Sequence, residues 1–209
     1  MADSDYLEIG FGSDNESKLG GGKFERFKGR EGENYRMSFV WWPTVDGKPN
    51  LDAPTPNFLG VKRHYIEGVG YVLDKGPEMS KLAGGPAKAA IASIIAIWPT
   101  DRKGVVDKDR LQSGQVEVQP WIFSRMVYDQ LARRHQEFSF GAYDLNVACT
   151  DTQFQKMDLS PAKDNLFRKL STTPPDSKLG ATFRAILGQV DEIAGELKRM
   201  LAQDLSIEK

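Results

Sequence analysis

Cations and aromatic rings interleave along the first half of this chain. Phe24, Arg26, Phe27, Lys28 and Arg30 come first, and Tyr35, Arg36, Trp41 and Trp42 follow. Lys62, Arg63, Tyr65, Tyr71 and Lys75 continue the pattern, with Lys88 beyond them. Guanidinium and ammonium groups neutralise phosphates, and flat rings give unpaired bases a surface to stack on. Holding a single strand without regard to its sequence needs both. Alternation puts Phe39 and Trp41 in a core, whereas Trp42 and Tyr65 are the rings placed to meet bases. The charge distribution agrees. Residues 1–17 carry five acids and no base, residues 18–110 carry sixteen Lys+Arg against eleven Asp+Glu, and the overall net charge is −1. A basic stretch behind an acidic leader points to a polyanion as ligand.

Residues for bond-making chemistry are scarce. Neither of the two histidines, His64 and His135, lies near a nucleophile pattern, and no P-loop, dinucleotide fingerprint or zinc spacing occurs. The run Leu82-Ala83-Gly84-Gly85-Pro86-Ala87-Lys88 lacks P-loop spacing, and its proline removes an amide donor, so it reads as an ordinary loop. His64, beside Tyr65 and two bases, reads as a surface or groove residue. One Cys and two separated His cannot build a four-ligand zinc site, so no metal and no cofactor are expected. The expectation is a binding protein and not an enzyme.

The elements that must position these residues are short strands. Tyr35–Trp42 alternates, with Tyr35, Met37, Phe39 and Trp41 on one face and Arg36, Ser38, Val40 and Trp42 on the other. Further strands are predicted at 58–66, 71–73, 90–98, 115–119, 143–149 and 153–159, separated by turn signals. The stretch from Asp74 to Pro86 reads as irregular, Ser124 as the N-cap of a helix to about Gln136, and 161–170 as a short helix. Cys149 alternates with Leu145 and Val147 and is placed in the core. The fold class is mainly β: a small β-barrel like the oligonucleotide-binding (OB) fold, with one internal helix and a long C-terminal helix. A closed barrel hides strand edges that so few helices cannot cover.

Four segments follow. Residues 1–23 are a flexible acidic and Gly-rich leader, 24–170 the nucleic-acid-binding domain, 171–177 a Pro-containing linker, and 178–209 an amphipathic helix. In that helix Leu179, Phe183, Ile186, Val190, Ile193, Leu197 and Met200 recur at alternating spacings of four and three, an a/d seam. Self-association is its first expected use, docking on the barrel the second and a partner protein the third. No apolar run reaches the roughly 18 residues of a membrane span. The N-terminus lacks a basic signal-peptide region, and a lone cysteine suits a reducing compartment, so the expected location is cytoplasmic.

The order of features from Ile91 to Pro161 resembles the single-stranded DNA-binding, helix-destabilising proteins of tailed phages. The likeness rests on the apolar strand and turn Ile94-Ile95-Ala96-Ile97-Trp98-Pro99-Thr100-Asp101, the strand Val116-Glu117-Val118-Gln119-Pro120-Trp121-Ile122-Phe123 leading into a helix, the strand Tyr143-Asp144-Leu145-Asn146-Val147, and the polar Thr150-Asp151-Thr152-Gln153-Phe154. It implies an OB-fold, a single-stranded DNA ligand with duplex DNA and RNA as further candidates, and duty in phage replication, recombination or repair within the host cytoplasm. Two features depart from the family pattern: the chain cannot build the zinc module some members carry, and it ends in a mixed-charge helix where many have an acidic tail. A scaffold protein assembling through the C-terminal helix is the alternative reading.

Overall fold

The computed structural model describes residues 26–40, 58–67, 70–74, 76–101, 104–150 and 157–202, leaving aside the side chains of residues 61, 70–73 and 198–202. In chain order the elements are β1 (Asn34–Phe39), β2 (Leu59–Ile66), β3 (Gly70–Leu73), α1 (Pro77–Leu82), β4 (Lys88–Trp98), α2 (Lys108–Gln112), β5 (Glu117–Ser124), α3 (Arg125–Glu137), β6 (Leu145–Cys149), β7 (Met157–Pro161), α4 (Leu166–Ser171) and α5 (Lys178–Ala202). The fold is mainly β, a seven-stranded sheet whose pairings are all antiparallel. Among the described residues four helices precede α5, where two were expected, at 124–136 and 161–170. The short α1 and α2 are too brief to show a helical period in the sequence.

The strand β4 is shared by two arms. After Lys88 it is almost all Ala and Ile, apolar on both faces. Its whole length pairs with β5 on one side. On the other side its first half pairs with β2 and its second half with β1. From β1 the sheet continues through β6 to β7, and from β2 to β3. Among the described residues no pairing joins β5 to β7, so the sheet stays open there. The helix α3 touches β4, β5 and β7 and fills the gap between the two edges. The segment before β1 crosses from β5 to β6: Phe27 N–H donates to the Pro120 carbonyl at 3.0 Å and Gly32 N–H to the Cys149 carbonyl at 2.9 Å. Gly32, at φ 79°, makes that crossing, as the third residue of an Arg30–Glu33 turn that a side chain would strain.

Two cores lie on opposite faces of this sheet. The inner core holds Met37, Phe39, Ile95, Trp121, Phe123, Leu145, Val147 and Leu159 with Val127 and Leu131 of α3, and Cys149 lies within it as expected. Phe39 stacks on Trp121 at 5.9 Å and on Phe140 at 5.4 Å. The outer core joins Val40, Ile94, Ala96, Trp98 and Val118 to Leu111 of α2, Phe167 and Leu170 of α4, and Ile186, Val190, Ile193 and Leu197 of α5. The alternation read for Tyr35 to Val40 holds, but the face expected to be open is the one the helices cover.

The C-terminal seam is therefore filled from within the chain. Ile186 is 1% exposed and Val190 is fully buried, and Leu179 and Phe183 pack at the margin of the same cluster. The Met200 side chain lies outside the described residues. Docking on the sheet was the second of the three expected uses, and the seam packs there. Residues 171–177 do not act as a loose spacer. Thr172 and Thr173 hydroxyls cap α4, and Ser177 Oγ accepts the Gly180 N–H at 3.0 Å at the start of α5. A Cβ on Gly180 would stand 2.3 Å from the Pro174 carbonyl oxygen.

Ile193→Ala is expected to destabilise the whole chain by about 2–5 kcal/mol, as truncation of a packed aliphatic side chain does, in urea unfolding. Gly180→Ala should destabilise it as well, because backbone atoms stand where the methyl would go. A chain cut after Leu170 should lose cooperative thermal unfolding; a sharp melt near that of the full chain would show α5 to be dispensable.

Candidate nucleic-acid interface

The expected binding residues do not form one patch. On β2, opposed residues across the ladder share a face. Arg63 lies opposite Lys88 of β4 and opposite Leu73 of β3, and Tyr65 opposite Tyr71. Arg63, Tyr65 and Lys88 thus fall on one face. The Tyr65 ring is 55% exposed, and Lys88 is exposed at the start of β4. Lys62 is exposed too, on the alternate parity of β2. These four lie together on β2 and the start of β4. Tyr71 belongs to it by register, but its side chain lies outside the described residues, as do Trp42 and Lys75 altogether.

A second group lies on the segment before β1. Lys28 and Arg30 are exposed, and Arg26 is half-buried. Tyr35 is not a free platform. Its ring meets Phe27 edge-on at 5.0 Å, and its hydroxyl donates to Glu33 Oε2 at 2.7 Å while accepting the Arg30 N–H at 3.1 Å. Burial, helped by the bond to Glu33, pushes the phenol up to about 12.

Arg36 is a structural residue, which corrects its place among the binding cations. Its Nε donates to Asp144 Oδ2 at 3.0 Å and its Nη2 to the Asp164 carbonyl at 3.3 Å. The Arg36 side chain is 12% exposed and that of Asp144 fully buried. The other Asp144 oxygen accepts from the Ser38 hydroxyl and from the Leu166 N–H at 3.1 Å. Ser38 Oγ in turn accepts the Trp98 indole N–H at 2.9 Å. Burial pushes the Asp144 carboxyl up to about 6, against the pull of Ser38, Arg36 and the Leu166 amide. Partners 108 residues apart leave no local signal in the sequence.

Both histidines are structural as well. His64 is 1% exposed and its Nε2 lies 3.0 Å from Asp74 Oδ1, so it is not the surface residue expected. His135 Nδ1 accepts the Phe140 N–H at 3.1 Å, and burial lowers its pKa.

Two grooves were not foreseen. One, of about 890 Å³, crosses β1, β6 and β7, with Asn34, Arg36, Asn146, Asp158 and Ser160 on its floor and Glu33 and Asp101 beside it. Its carboxylates make it a poor path for phosphates. The other, about 270 Å³, lies between α3 and β7 and is lined by Gln130, Arg133, Arg134, Glu137, Met157 and Leu159. Among the described residues no group of three or more His, Cys, Asp or Glu is placed to hold a metal ion. No described helix is long and apolar enough to cross a membrane.

Comparison of this chain with protein-family models, with characterised proteins and with solved structures gave no match.

Two outcomes follow from the Asp144 tie. Arg36→Ala strips a buried carboxylate of its partner and should cost about 3–5 kcal/mol of stability, read by urea unfolding. The Asp144 carboxyl holds its proton more tightly folded than at the ordinary 3.8 of an aspartate. Its stabilising contribution is complete below that value and is lost as pH rises towards 6. Unfolding free energy should therefore fall more between pH 4 and 6 in the parent than in Asp144→Asn. Parallel profiles would show that this carboxyl does not titrate there.

Proposed function

We propose that this protein binds single-stranded DNA, largely without regard to sequence, on an OB-type barrel and with no chemistry of its own. The observation that carries the reading is the opposed pair Arg63 and Lys88, with the exposed Tyr65 ring two residues further along the same face. A phosphate path beside a stacking ring is the arrangement that sequence-tolerant single-strand binding uses.

The connectivity supports the barrel. Strands β5, β4, β1, β6 and β7 are successive neighbours, and α3 spans from one end of that series to the other. That is the form of a partly open five-stranded barrel stopped by a helix. The β2–β3 hairpin is then an insertion in the loop between the first two barrel strands, a loop with which OB-folds hold oligonucleotides. Because β4 is buried from Ala90 onward and α5 covers its second half, the path for a strand is confined to its start at Lys88 and the hairpin. The resemblance to helix-destabilising proteins of tailed phages supports the same ligand and a role in coating strands exposed during replication, recombination or repair. The scaffold alternative drew on the α5 seam, which this chain's own sheet occupies.

The test is anisotropy of a labelled homopyrimidine oligonucleotide at several salt concentrations. Each phosphate neutralised on a single strand should contribute about −0.7 to the slope of log K against log salt. Lys88→Ala should flatten the slope by about that amount. Tyr65→Ala should weaken binding by about 1–3 kcal/mol without changing the slope. Competition with duplex DNA and RNA ranks the ligands. A slope near zero, or no binding at about 10 μM protein in low salt, rejects the reading.

A further inference from the structure

His64 lies in β2 between Arg63 and Tyr65, two residues of the proposed interface, yet its own side chain is 1% exposed. Its Nε2 lies 3.0 Å from Asp74 Oδ1, and the same oxygen accepts the Gly76 N–H at 3.1 Å. The Asp74 N–H donates to the Lys62 carbonyl at 2.9 Å, which ties the end of β3 to β2. Gly76 is the residue before α1, which packs on β2 and leads to Lys88. One carboxylate oxygen thus joins β2, the end of β3 and the start of α1, the pieces that carry Lys62, Arg63, Tyr65 and Lys88.

With Nε2 as the donor to Asp74, the ring's other nitrogen is an acceptor. His64 Nδ1 is buried and makes no hydrogen bond. A buried, unsatisfied acceptor is destabilising, and a phenylalanine or leucine would fill the space without it. The hydrogen bond to Asp74 therefore has a use other than stability.

We propose that His64 and Asp74 are the positioning pair of the nucleic-acid face. Their bond sets the β2–β3 hairpin against α1 and β4, so that the Tyr65 ring, Arg63 and Lys88 meet one strand together. Neither residue touches the strand. The inference rests on the single-strand reading above and names what aligns that site.

The experiment compares His64→Phe, Asp74→Ala and Asp74→Asn with the parent, using the labelled homopyrimidine oligonucleotide. His64→Phe keeps a planar ring and removes the bond, whereas Asp74→Asn keeps the accepting oxygen. His64→Phe and Asp74→Ala should bind about tenfold more weakly, as sites misaligned by a fraction of an ångström do, with the salt slope unchanged because every cation remains. Asp74→Asn should bind like the parent, and thermal melting of His64→Phe should not fall. A folded His64→Phe that binds like the parent overturns the proposal, as does an Asp74→Asn as weak as Asp74→Ala. Should His64→Phe fail to fold, Asp74→Ala, altered at a side chain 21% exposed, carries the comparison. If the parent binds no oligonucleotide, the single-strand reading fails. Amide exchange then tests the pair by itself: protection of the β2–β3 amides unchanged in His64→Phe and Asp74→Ala overturns it.

Discussion

Between Ala90 and Ala96 the strand β4 is buried on both faces, and the other elements are arranged to keep water from it. A strand of this kind needs cover above and below as well as hydrogen-bonding neighbours on both edges. The aromatic inner core and α3 supply one cover, and α2, α4 and α5 the other. One edge is taken by β5. The other is divided between β1 and β2, which forces the sheet to fork. The fork creates the hairpin arm that carries the exposed Lys62 and Tyr65.

Where the helices meet the sheet, the polar centre is Asp144. Its two oxygens gather the Arg36 guanidinium, the Ser38 hydroxyl and the first amide of α4, so a single carboxylate fixes β1 against the chain entering the outer helical layer. Three donors surround it, and burial still outweighs them in holding its proton. An ion pair so placed is weak evidence for net stability, since desolvation offsets much of the attraction. Its use here is to set which face of β1 the helices cover.

That choice bears on where the proposed polyanion could lie. The outer face of the second half of β4 is apolar and covered, the groove across β1, β6 and β7 is lined by carboxylates, and the hairpin arm carries the exposed Lys62. On the proposed reading, a phosphate chain would be directed to the arm by exclusion from the first, repulsion from the second and attraction to the third. The aromatic rings divide in the same way. Phe27, Phe39, Trp121 and Phe140 interlock in the inner core, while Tyr65 is held out in water.

Local pattern was enough to determine several things about this protein. Period-two alternation placed Met37 and Phe39 inward and Arg36 and Ser38 outward. Unbroken Ala and Ile marked the buried strand, Ser124 capped α3 as its type and position require, and the three–four spacing of α5 marked a seam that had to be buried. These follow from forces acting within a few residues: side-chain direction, capping bonds and the apolar period of one element. What buries the seam, which cations remain in water and which become paired, and why a histidine beside an exposed tyrosine is itself inside, only the tertiary structure decided. Each depends on residues far apart in the chain, such as Arg36 with Asp144, Arg63 opposite Lys88, and Val190 in one buried cluster with Ile94. A residue's type shows that it will seek a partner; the identity of that partner depends on how the sheet forks and which face the helices cover.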